Sequence, residues 1–228
     1  DLNVTIDGAP VNVRSVENIT GDELPISVVL VIDTSESMLG KPLEDAQAAA
    51  FAFLDNLAPG DEVALIDFDS TVKLAQPFTT DLDAVRAAID GLVADGGTAL
   101  YDAAYTAAEC AAGADTPRRF VVFLTDGNEY GGLSTHLAED ALMLANEQNI
   151  QFYTFGVGYG LDPNYLSQLA EMTRARSLLY PTSEALAEAY SFLASYLRTQ
   201  YVVRISTDLE PDGAEHTVEV RVGDVSAD

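Results

Sequence analysis

Five oxygen-bearing side chains stand where apolar runs of this sequence break into polar loops. The stretch "LVIDTSESMLG", residues 30–40, ends an apolar run on Asp33, Ser35 and Ser37. "DGGTAL" supplies Thr98, and "FVVFLTDG" closes on Asp126, with Asn128 and Glu129 just beyond. Alternate spacing in an extended segment puts Asp33, Ser35 and Ser37 on one side of the chain. Two carboxylates and three hydroxyls, with no His and no Cys, are hard oxygen donors. They suit Mg²⁺, Mn²⁺ or Ca²⁺ and not zinc. So few carboxylates leave coordination positions to water or to one oxygen from outside. Each motif alone has a plainer reading: Asp33 and Asp126 capping strand ends, Ser37 and Thr98 opening helices. The inference rests on all three reaching one place.

The elements that must bring them there are legible. Residues 27–35, "SVVLVIDTS", form a continuous apolar run, as in a strand buried on both faces. "KPLEDAQAAAFAFLDNLA" follows as a helix with Pro42 at its start. "DEVALIDFDS" is a strand, and "VKLAQPFTT", holding Pro77, is a short edge strand. "TDLDAVRAAIDGL" is a helix with Thr80 or Asp81 as its N-cap and Gly91 as its stop. "ALYDAAYTAAECAA" is a helix, "RRFVVFLTDGNE" a buried strand, "HLAEDALMLANEQNI" a helix and "QFYTFGVG" a third buried strand. "DPNYLSQLAEMT" is a short helix, "RSLLYP" a short strand, and a long helix opens at Thr182 or Ser183. Strands alternating with helices define an α/β class: a Rossmann-like, doubly wound, mostly parallel sheet with helices on both faces. Such sheets bind ligands at the carboxyl ends of their strands, near a topological switch point. Asp33, Thr98 and Asp126 all fall on loops at that pole.

The two ends of the chain differ. "LNVTIDGAPVNVRSVEN" reads as strands around a D-G turn, and "QYVVRISTDLEPDGAEHTVEVRVGD" as strand, P-D-G turn, strand, with His216 in the hairpin. Neither end holds a core alone, so residues 1–24 and 201–228 are expected to pair into one small antiparallel β unit. Chain direction puts that unit at the pole opposite Asp33, leaving residues 25–200 as the main domain.

Composition narrows the partners. The chain has 228 residues with 37 acidic against 11 basic ones, a net charge of −26 spread over its length. Nothing neutralises phosphates, so nucleic acid and anionic membranes are poor partners. The acidic surface reads as solubility, including in a salty medium. No apolar run approaches the roughly 20 residues of a membrane span. The chain starts at Asp1 without Met, which reads as a processed or excised piece of something longer. The single cysteine, Cys110, excludes an internal disulfide and a thiolate metal site, and reads as a small buried thiol on a helix.

D-x-S-x-S after a buried strand, Thr in G-G-T about sixty residues on, and T-D-G after a later strand resemble the metal-ion-dependent adhesion site of the von Willebrand factor A domain family. The resemblance covers roughly residues 25–200 in element order. It implies that Ser35 and Ser37 ligate the metal directly, and Thr98 directly or through water. It implies that Asp33 and Asp126 act mainly through water and through hydrogen bonds to the hydroxyls. It also implies that a partner carboxylate fills the open position. Where the family often has Gly between the two serines, this chain has Glu36, which is expected to point to solvent, the alternatives being that it repels an acidic ligand or favours Ca²⁺. Nothing matches the flanking metal sites of integrin-type members. Loops 39–41, 69–71, 130–132 and 158–161 would form the rim.

Enzyme chemistry fits less well. A haloacid-dehalogenase-type aspartate needs an acid two residues after Asp33, where Ser35 stands, and G-x-S-x-G and G-x-x-x-x-G-K are absent. "GVGYG" reads as a loop and His136 as a solvated helix end. The run Asp208, Glu210, Asp212, Glu215 reads as a turn without calcium-loop spacing. The expectation is a non-enzymatic, divalent-metal-dependent protein-binding module of a secreted or surface protein, its partner presenting an acidic side chain. The alternative is an intracellular scaffold subunit working with an ATPase or a metal-insertion complex. Strands at both ends favour the first.

Overall fold

The computed structural model describes residues 2–19, 25–130, 132–180, 182–198, 200–209, 213 and 216–223. The acids Glu210, Asp212 and Glu215, the Pro211–Asp212 turn pair and rim residue Gly131 lie outside the described residues. Two compact units partition the chain: residues 21–198, and residues 1–20 with 199–228.

The second unit opens the chain with strands β1 (Leu2–Ile6), β2 (Ala9–Pro10) and β3 (Asn12–Ile19). The larger unit runs β4 (Ser27–Asp33), α1 (Lys41–Leu54), β5 (Glu62–Phe68), β6 (Val72–Thr79), α2 (Leu82–Asp90), α3 (Leu100–Ala112) and β7 (Arg119–Thr125). It continues with α4 (Ala138–Glu147), β8 (Gln151–Val157), α5 (Pro163–Met172), β9 (Ser177–Tyr180) and α6 (Leu186–Arg198). Strands β10 (Gln200–Ser206) and β11 (Val218–Val222) then return to the first-named strands.

The main sheet has the order β6-β5-β4-β7-β8-β9. Every pairing is parallel except β5 with β6. β6 is an edge strand, which tolerates Pro77 because no further strand needs its N–H. Its ladder to β5 shifts register between Val63 and Ile66. The chain winds from β4 toward β5 and β6 on one side, then crosses back to β7, β8 and β9 on the other. The switch point therefore lies between β4 and β7, and sheets of this kind bind ligands at the strands' carboxyl ends there.

All seven residues of β4 are buried. Val28, Leu30 and Ile32 pack with α1, α2 and α6, whereas Val29 and Val31 pack with α3, α4 and α5. That alternation is what a strand covered on both faces requires. α3 approaches the sheet through Ala103, Ala104, Ala107, Ala108 and Ala111, all fully buried. Cys110 on that helix is half-buried, and burial pushes its thiol up to about 11. Asp81 is the N-cap of α2, accepting from the backbone N–H of Asp83 and Ala84, and Gly91 is its C-cap. Among the described residues no helix is long and apolar enough to cross a membrane.

In the smaller unit β1 pairs with β11 and β2, and β3 pairs with β10, all antiparallel. β10 and β11 sit in different sheets, so among the described residues they do not pair with each other as a hairpin would. Each strand instead finds a partner from the other end of the chain. His216 is no hairpin residue: its Nδ1 lies 2.7 Å from Asp7 Oδ2, in the turn after β1.

Candidate metal centre

β4 ends on Asp33 because its carboxylate turns the chain. Asp33 Oδ1 accepts from the Ser35 backbone N–H at 2.8 Å, which stops the strand at residue 33 rather than 35. Its Oδ2 accepts from Thr125 Oγ1 at 2.5 Å, across from β4 at the end of β7. A 3₁₀ turn, Glu36–Met38, follows, anchored by fully buried Met38. It holds the Ser35 and Ser37 hydroxyls 3.1 Å apart. Ser37 Oγ then donates to Asp126 Oδ1 at 2.7 Å. Four of the five expected side chains are thus joined by hydrogen bonds at the switch point.

Thr98 arrives from a third loop. That loop is fixed by Asp95 N–H to the Thr34 carbonyl at 2.8 Å and Glu36 N–H to the Gly96 carbonyl at 3.1 Å. Gly97 N–H donates to Ser70 Oγ at 2.7 Å, and Ala99 N–H to the Asp69 carbonyl at 2.7 Å. The two glycines of G-G-T differ: Gly96 needs its left-handed backbone, whereas a side chain on Gly97 would displace the end of Leu133. Gly96 has φ +75°, and a Cβ on Gly97 would stand 2.7 Å from Leu133 Cδ1. Thr98 is 6 % exposed, and its hydroxyl makes no hydrogen bond among the described residues. A Cβ on Gly127 would stand 3.4 Å from Thr98 Oγ1 and 4.0 Å from Asp33 Oδ2, so both oxygens border one point. Glu36 is exposed, as expected.

The electrostatics favour a cation. Burial pushes the Asp33 carboxyl up to about 6, against the pull of hydrogen bonds from Ser35 and Thr125. Burial also raises Asp126, opposed by its bond from Ser37. A carboxylate whose charge is destabilised by desolvation gains most from a nearby positive charge. Among the described residues no three His, Cys, Asp or Glu side chains gather to hold a metal, so the donor set here depends on its hydroxyls. Their spacing fits. Neighbouring oxygens on a Mg²⁺ octahedron are separated by about 3 Å, from bond lengths of about 2.1 Å. The Ser35–Ser37 distance of 3.1 Å is close to that edge.

Several supporting residues carry no motif in the sequence. Glu129 accepts from Ser134 N–H at 2.8 Å, Ser134 Oγ at 2.7 Å and Tyr101 N–H at 3.3 Å. Asp102 accepts from the N–H of Thr135 and His136 at 2.9 and 2.8 Å. His136 Nδ1 lies 2.7 Å from the same Asp102 oxygen, and its ring stacks on Tyr105 with centroids 3.8 Å apart. His136 is thus a fastening between the loop after β7 and α3, not a free helix end. Thr125 was the one supporting group with a signal. A hydroxyl closes β7 one residue beyond Leu124, which pairs with Ile32 just before Asp33.

The fold and site define a von Willebrand factor A fold: a mostly parallel sheet between helices, with oxygen donors converging at the switch point. Residues 28–129 match the family described as von Willebrand factor type A domain, and structural neighbours share the fold. An uncharacterised Synechocystis protein is 31 % identical over 168 residues, spanning 72 % of this chain and 40 % of that protein. The chain thus spans less than half of that relative. Proximal thread matrix protein 1 from the mussel byssus, solved with a zinc-occupied MIDAS motif, superposes with TM-score 0.69 at 16 % identity over 85 % of this chain and 50 % of that one. The vWF domain of the type V pili tip protein Mfa5 from Porphyromonas gingivalis superposes with TM-score 0.64 at 16 % identity over 76 % and 95 %.

Proposed function

We propose that Asp33, Ser35, Ser37, Thr98 and Asp126 hold a divalent cation, Mg²⁺, Mn²⁺ or Ca²⁺, and that a carboxylate of a partner protein completes its shell. The observation that carries this reading is the Ser35–Ser37–Asp126 chain of contacts at 3.1 and 2.7 Å across the switch point. When bound, the cation supplies a local positive charge and an open coordination position. Ser35 and Ser37 would hold it directly, and Thr98, with its hydroxyl unengaged, directly or through water. Asp33 fixes the Ser35 loop through that residue's N–H, and Asp126 orients the Ser37 hydroxyl.

The reading is of a binding module without catalysis, in a secreted or surface-anchored protein. Two neighbours named for a byssus thread matrix and a pilus tip support that setting. The zinc in the byssus neighbour makes zinc a fourth ion to test. Residues 25–200 form the binding domain, and residues 1–24 with 201–228 the β unit.

Thermal melting with each ion tests it, since ligands of the native state raise the midpoint. Mg²⁺, Mn²⁺ or Ca²⁺ should raise it, and the Ser35→Ala, Ser37→Ala double variant should abolish the rise. A rise that survives in that variant puts the cation elsewhere.

A further inference from the structure

Large apolar side chains stand exposed on the loops that carry the candidate centre and on the loop after β8. Leu39, two residues after Ser37, is 69 % exposed, Tyr130 68 % and Tyr159 92 %. Leu133 is also exposed. Tyr130 and Leu133 lie against the loop that carries Thr98. Tyr130 N–H donates to the Thr98 carbonyl at 3.0 Å. Leu133 Cδ1 and Tyr130 Cδ1 would stand 2.7 and 3.3 Å from a Cβ on Gly97, the residue before Thr98. Gly160, next to Tyr159, brings its Cβ position 3.4 Å from the Asp126 carbonyl. Apolar side chains gathered around a polar centre mark an interaction surface.

Acids prevail among the charges on these loops, and the rim base Lys41 is paired with Asp45. Glu36 and Asp95 are both exposed, on segments joined by the Glu36–Gly96 and Asp95–Thr34 backbone bonds. The whole chain carries −26. A partner carboxylate that reaches the cation is attracted, but a second acid beside it meets like charge within a screening length of about 10 Å.

We propose that the partner segment presents a single carboxylate between large apolar side chains, with no neighbouring acid. The apolar groups dock on Leu39, Tyr130, Leu133 and Tyr159 while the carboxylate enters the centre. This rests on the metal-dependent reading above and names the chemistry of the partner. Rigid aromatic and aliphatic anchors around a desolvated contact give most of the affinity of such surfaces. The like charge of Glu36 and Asp95 supplies the discrimination.

Fluorescent nine-residue peptides with a central Asp, flanked by Leu and Phe, by Ser, or by Glu, test this in Mg²⁺ by fluorescence polarisation. Asn in place of Asp is the control. The apolar-flanked probe should bind about tenfold tighter than the Ser-flanked one. It should lose binding with Asn or in EDTA, and the Glu-flanked probe should be weakest. In the Leu39→Ser, Tyr130→Ser, Tyr159→Ser triple variant the preference should vanish while the Mg²⁺ rise in melting midpoint stays. Equal binding of apolar- and Ser-flanked probes overturns the proposal, as does a preference retained in the triple variant. So does an absence of peptide binding in a chain that Mg²⁺ stabilises. A chain that no cation stabilises fails earlier, at the metal reading itself.

Discussion

Ser37 Oγ donates a 2.7 Å hydrogen bond to Asp126 Oδ1, joining the loop after β4 to the loop after β7 across 89 residues of sequence. The bond spans the one place where the sheet's winding reverses. It links a hydroxyl from a 3₁₀ turn to a carboxylate that burial has made eager for positive charge.

Ser37→Ala should separate metal binding from folding. Ser37 is exposed, so losing its hydrogen bonds to Ser35 and Asp126 should cost about 1–2 kcal/mol in the absence of cation. At a cation concentration of about 100 Kd the wild type should gain about 2.7 kcal/mol, most of which the variant should lose. Denaturant melts with and without Mg²⁺ report both quantities.

Gly96→Ala should damage the fold and the centre together. The φ of +75° and a Cβ position 2.8 Å from Ser70 Oγ leave no relaxed place for a methyl group. A left-handed conformation costs a non-glycine residue about 1–2 kcal/mol. The loop it would displace carries Thr98, so Mg²⁺ affinity measured by titration calorimetry should fall as well.

Gly156→Ala is the contrasting case. Its Cβ would stand 2.8 Å from Leu161 Cδ2, 2.8 Å from Leu179 Cδ2 and 3.0 Å from Leu166 Cδ1, inside the packing of β8. Overpacking there should cost about 1–3 kcal/mol. The metal-induced rise in midpoint should stay, because the donors are untouched.

The fold was readable because β4, β7 and β8 are unbroken apolar runs and the helices between them carry their own caps, such as Asp81. The donors were readable because each closes one of those runs or follows paired glycines. What stayed hidden has no local pattern. Glu129 reaches Tyr101, and Asp102 reaches Thr135 and His136, across some thirty residues of sequence, and spacing cannot show that. The end strands misled for a related reason. A P-D-G turn between two β segments has the look of a hairpin, but β10 and β11 each pair with an N-terminal strand.

Asp102 predicts an acid limb. Burial works to raise its carboxyl, but the His136 and Thr135 N–H groups and the His136 ring outweigh it and hold it below the usual carboxylate range. A lowered folded-state pKa contributes stability above the unfolded value of about 4, and loses it as pH falls through the folded one. The advantage of wild type over Asp102→Asn, read from denaturant melts, should therefore hold near pH 6 and shrink below about pH 4.

Crystals grown with Mn²⁺, examined by anomalous difference density, would locate the cation itself. One strong peak is expected, bonded to Ser35 Oγ and Ser37 Oγ, beside Thr98, Asp33 and Asp126. A peak at any other group of side chains, or none in a chain saturated with Mn²⁺, would contradict the metal reading.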